Sequence, residues 1–181
     1  DDVLRQPASC GGAISRSERN EALVLLVRGM RVQRDAGQRS LQRIKAEMER
    51  SQDPELQLLL QLERAHLHLT HREKQSAIDH YKAVHTSANR QGTASVASAG
   101  KQGGAMVLAL DGMCDTGGKG GQCEQALRLF GQVDDASLRP AARMMIGYIL
   151  MYTRQDARGA IQAAQLALAQ WPEQGSWWMK L

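Results

Sequence analysis

Three apolar triplets recur along the chain with one internal spacing, and that spacing admits little besides stacked helices. Ala77, Tyr81 and Val84 stand at steps 0, 4 and 7; Ala126, Phe130 and Val133 repeat the pattern; Ala160, Ala164 and Ala167 repeat it again, with Pro172 closing the segment. Steps of four and seven fall on one face of an α-helix. Ala126 and Ala160 lie 34 residues apart. A fixed period of that size marks an array of helical hairpins, each of which buries its apolar face only against a neighbour.

The rest of the sequence agrees with helix. Ala, Leu and Gln are abundant and aromatic residues make up only 4%; unbranched side chains lose little freedom in a helix. Leu41, Ile44 and Met48 form an i, i+3, i+7 stripe, and Ser51-Gln52-Asp53-Pro54 reads as a turn followed by a cap with proline at the first helical position. Apolar periodicity predicts helices over about 17–33, 38–51, 54–70, 73–89, 104–114, 122–133, 138–153 and 156–170. Residues 1–16 lack periodicity and read as an N-terminal arm, leaving 17–181 as the repeat domain. No segment reads as a strand, and no run of eighteen apolar residues suggests a membrane span.

The interval from Ala77 to Ala126 is 49 residues, fifteen longer than the next one. Residues 91–105, rich in Gly, Ala and Ser, account for the excess either as an insertion or as a weak helical extension. The chain opens at Asp1-Asp2, which suits a mature terminus after signal cleavage or the boundary of an excised segment.

The pattern resembles the tetratricopeptide repeat (TPR) family. That family's second helix carries a small residue, an aromatic four later, Ala seven later and Pro twelve later. Ala160, Ala167 and Pro172 match, as do Ala77 with Tyr81 and Ala126 with Phe130. Its first helix favours Trp, then Leu three later and a small residue four later. Trp178 with Leu181 matches the opening of a further unit; Gly147 and Ala65 match in part. The first pair matches through Gly29 and its periodicity. Ala164, Val84 and Val133 depart from the pattern. The resemblance implies an all-α fold, a right-handed α-α superhelix of about four TPR-like hairpins, whose groove binds a protein or peptide.

Candidate functional residues follow from chemistry and position. Tyr148, Tyr152, Trp171, Trp177 and Trp178 gather aromatic area near the C-terminal end. They read as terminal core or, for Tyr148, Tyr152, Trp177 and Trp178, as a partner-binding patch, since aromatic side chains dominate binding hot spots. All five histidines lie between His66 and His85 on one predicted hairpin. His66 and His80 come from antiparallel helices and offer two imidazoles to zinc, copper or nickel, although no His-x-x-x-His motif is present. Cys114 and Cys123 flank a glycine-rich loop at a hairpin mouth, where a disulfide is geometrically reasonable; two buried thiols are the alternative. A disulfide would argue for an oxidising compartment.

Other readings are weaker. Gly117-Gly118-Lys119-Gly120 lacks the first glycine, the following Ser or Thr and the preceding strand of a phosphate loop. The net charge of +4 is spread along the chain, and the arginines from Arg28 to Arg43 have Asp35 among them and Glu21, Glu47 and Glu49 beside them, which gives a solvated face rather than a nucleic-acid footprint. No catalytic arrangement of Ser, His and Asp or of Cys and His is legible. The sequence therefore predicts a non-enzymatic protein- or peptide-binding module without a cofactor. It would serve as a scaffold or sensory domain of a bacterial envelope or signalling protein, in the periplasm or cell envelope, with the cytoplasm as alternative. A small-ligand or metal sensor using the 66–85 hairpin is the second reading.

Overall fold

The computed structural model describes residues 15–32, 37–110 and 121–171. Nearly all of the expected arm 1–16, together with Cys114, Trp177 and Trp178, lies outside the described residues. Within them are eight helices and no strand: α1 (Arg16–Val32), α2 (Gly37–Arg50), α3 (Pro54–Thr70), α4 (Lys74–Arg90), α5 (Ala94–Leu110), α6 (Gly121–Gly131), α7 (Arg139–Thr153) and α8 (Ala157–Ala169). Each packs on the next in sequence, and the first helices of successive pairs also touch, α1 on α3 and α3 on α5. The architecture is an all-α helical repeat.

The recurring triplets point inward. Ala77, Val84, Ala126 and Ala167 are fully buried, Tyr81, Phe130 and Val133 nearly so, and Ala160 is 9% exposed; Ala164 is half-buried. The small residue at the first step lets the partner helix approach, and the large one four later fills the space beyond it. The first pair follows the same rule with different residues: Ser40 and Ile44 occupy the first two steps on α2, and both are fully buried. Gly29, the residue that tied this pair to the repeat in sequence, is not a close-approach position, since a Cβ added there meets nothing within 4 Å. Leu23, Val24 and Val27 supply the buried face of α1 instead.

The turns are short and alike. The links 51–53, 71–73, 91–93 and 154–156 each have three residues. In three of them the middle residue is left-handed: Arg72 (φ 61°), Gly92 (φ 73°) and Gln155 (φ 55°). This is the usual way to end a helix and reverse the chain. Asp53 caps α3 by accepting from the Glu55 N–H at 3.1 Å, with Pro54 at the first helical position. Asn20 and Arg16 bind the same carboxylate and hold its pKa below the ordinary range, Asn20 contributing most. Asp156 caps α8 through the Gly159 N–H at 2.8 Å.

Residues 94–105 are helix, the greater part of the 17-residue α5, as the helical alternative expects. The extra length is divided: α4 runs thirteen residues beyond Ala77 where α6 runs five beyond Ala126, and ten residues separate α5 from α6 where three separate α7 from α8. The small residues of α5 have a packing reason. A Cβ at Gly103 would stand 2.1 Å from the Tyr81 ring, and one at Gly100 would stand 3.0 Å from the His85 nitrogen and 3.1 Å from the Tyr81 carbonyl. Three glycines in a helix interior cost about 1 kcal/mol each against alanine. The side chain of Tyr81, 1% exposed, recovers part of that by filling the hollow they leave.

Gly103→Val is expected to lower stability by about 2 kcal/mol or more, because Tyr81 must leave its seat. Gly104→Ala, one residue along, is expected to raise stability by about 0.5–1 kcal/mol, since the nearest atom to its Cβ is 3.8 Å away. Urea unfolding midpoints of the two variants check both; equal shifts of one sign would contradict the packing described.

Candidate interaction surface

On α7 the inward face is set by Ala142, Met145, Ile146 and Ile149, which pack into the cluster built around Phe130. Gly147 turns toward α8, where a Cβ would come within 3.2 Å of the Ala160 carbonyl. The remaining side of the helix is partly exposed, yet it is apolar. Met144, Tyr148, Met151 and Tyr152 follow one another at i, i+4, i+7 and i+8 and are 45%, 43%, 49% and 67% exposed. The Tyr148 and Tyr152 rings contact each other at 4.6 Å between centroids, tilted by 43°. Of the expected patch, the structure thus brings Tyr148 and Tyr152 together on an outer face. The two methionines that extend it were legible only as helix periodicity, because periodicity does not say which apolar side of a short helix has a neighbour. Ile161 and Leu168 on α8 are exposed as well.

The histidine hairpin is assembled differently from the expected approach of His80 to His66. His66 meets Tyr81 instead: the hydroxyl and Nδ1 are hydrogen-bonded at 2.6 Å, with the rings edge to face. His80 stacks on His68, centroids 4.9 Å apart and planes 14° from parallel. His68 Nδ1 is in turn 2.5 Å from Glu73 Oε2. The reason is register: His66 and Tyr81 face each other across α3 and α4 near the middle of the hairpin, while His68 and His80 flank the turn side. His85 donates to the Ala97 carbonyl at 3.2 Å, and His71 lies against Gly37. The imidazoles are used in packing, and among the described residues no group of three or more His, Cys, Asp or Glu side chains could hold a metal ion.

His80 has its pKa pushed below the ordinary imidazole value, first by burial and then by the charges of Arg64 and His68; Asp79 opposes them. Cys123 is 5% exposed and disulfide-bonded; its expected partner, Cys114, falls outside the described residues. A second concave region lies at the other end, where α1, α2 and the start of α3 enclose about 820 Å³ beside Arg16, Arg19, Arg43 and Arg50. Asp53 and Glu47 offset much of that charge, Arg16 lying 2.8 Å from Asp53 and Arg43 3.0 Å from Glu47.

A folded-state pKa below the unfolded one means that the unfolded chain takes up the proton first, so His80 subtracts stability as pH falls through about 6.5. His80→Gln is therefore expected to leave stability near pH 7.5 little changed and to reduce the loss between pH 7.5 and 5. Denaturant midpoints measured across that range check it; an unchanged pH slope would contradict the assignment.

In comparisons with known proteins, no family model, no curated protein and no solved structure matches this chain.

Proposed function

We propose that the chain is a non-enzymatic, TPR-like module that binds a protein or peptide, and that it serves as a scaffold or sensory domain of a bacterial envelope or signalling protein. The observation that carries this reading is the exposed stripe of Met144, Tyr148, Met151 and Tyr152 on the outer side of α7. Two tyrosines in mutual contact give a broad, rigid apolar surface at low entropic cost, with hydroxyls at the rim. Methionines beside them adapt to different side chains. The stripe is about 12 Å long, the reach of three or four extended residues.

The placement of the triplets supports the TPR-like part of the proposal, since Ala77, Tyr81, Ala126, Phe130 and Ala167 are buried where that family's packing positions would be. The disulfide at Cys123 supports a setting in the periplasm or cell envelope. Among the described residues no helix is long and apolar enough to cross a membrane.

Display of randomised twelve-residue peptides against the wild-type chain tests the proposal. Selection is expected to enrich peptides with an apolar or aromatic core whose binding falls at least about tenfold in Tyr148→Ser/Tyr152→Ser, the loss typical of a truncated hot spot. Enrichment that is equal on the double variant, or none at all, would contradict it.

A further inference from the structure

A separate pocket sits between α4, α5 and α6, away from the stripe on α7. Its floor is made where α5 carries Gly100, Gly104 and Leu108, an i, i+4, i+8 series with no side chain at the first two places. Gly100 is closed off by the α4 backbone, but Gly104 leaves room, its nearest would-be contact being Tyr81 Cβ at 3.8 Å. Ile78 and Leu129 form the apolar walls of a half-open hollow of about 170 Å³. An apolar cavity of about 150 Å³ accepts benzene, so the space suits one ring or one branched alkyl group and excludes a nucleotide.

The rim carries the second half of the argument. Lys82 and Lys101 both line the opening, and no Asp or Glu does. Neither lysine forms an ion pair among the described residues; Lys101 Nζ reaches only the Gln132 carbonyl, at 3.3 Å. At the cavity between α1, α2 and α3, by contrast, Arg16 is paired with Asp53 and Arg43 with Glu47. Two uncompensated ammonium groups over a small apolar hollow are complementary to an anion with a short apolar body. A single ring or alkyl group with one anionic head meets both demands, and lysine ammoniums without a guanidinium fork suit a lone carboxylate.

The geometry points to a binding site for a small apolar carboxylic acid, with its ring or branched chain against Gly104, Leu108 and Leu129 and its carboxylate between Lys82 and Lys101. This site does not depend on the α7 reading and would stand if that reading failed.

Nitrogen-15 chemical-shift titration of the whole chain with benzoate and 4-methylpentanoate tests it, with benzamide and 4-methylpentanamide as neutral counterparts. Saturable shifts are expected at the amides of Gly104, Leu108 and Leu129 for the acids and not for the amides. Lys82→Gln/Lys101→Gln, on a rim that tolerates polar residues, is expected to weaken binding about tenfold, and Gly104→Leu to abolish it while the helical circular dichroism is kept. Absence of saturable shifts would overturn the proposal. So would equal binding of the amides, or undiminished binding by the lysine double variant; because that variant alters no packed side chain, a folding failure of Gly104→Leu would not shelter the proposal.

Discussion

The seating of Tyr81 against the glycine face of α5 holds the middle of this molecule together. An aromatic ring that reaches across a helix pair needs a hollow, and Gly103 provides it at a spot where a Cβ would come within 2.1 Å of the ring. Its hydroxyl then meets His66 on α3. One side chain thus ties three consecutive helices, and the small-residue step at Gly103 on α5 is needed for its entry. The neighbouring cores join at the same place: Ile78, one turn from Tyr81, packs against both the central cluster and the one around Phe130. An array in which each helix packs mainly on its neighbours depends on such seams.

Much of the fold was legible from spacing. The triplets starting at Ala77, Ala126 and Ala160 all face inward, and the turns after α3 and α7 fall close to where periodicity stops. The failures share a physical cause, in that local sequence reports propensity and not what a segment packs against. Residues 94–105 left insertion and weak helix both open because Gly and Ser are poor helix formers in isolation, and contact with α4 overrides propensity. On α2 the first step is Ser40, whose hydroxyl hides its role as the small residue of the pattern; its burial with Ile44 was visible only in three dimensions.

The candidate surfaces were less legible than the fold. Tyr148 and Tyr152 could be paired from their spacing, but their exposure depends on which side of α7 receives α6 and α8. For the histidines, composition drew attention to one hairpin and register decided the partners: His66 with Tyr81, and His68 with His80. The pocket beside Lys82 and Lys101 left no sequence signal, because it is made by a side chain that is missing, at Gly104, and by residues from three helices. Absent side chains acquire meaning only when the opposing helix is known.

The packing of α4 on α5 is measurable without altering the protein. Nuclear Overhauser contacts between the Tyr81 ring protons and the Gly103 α-protons are expected to be among the strongest between these two helices. Their absence, with the Tyr81 ring instead exchanging freely with solvent-facing contacts, would contradict the account at its centre.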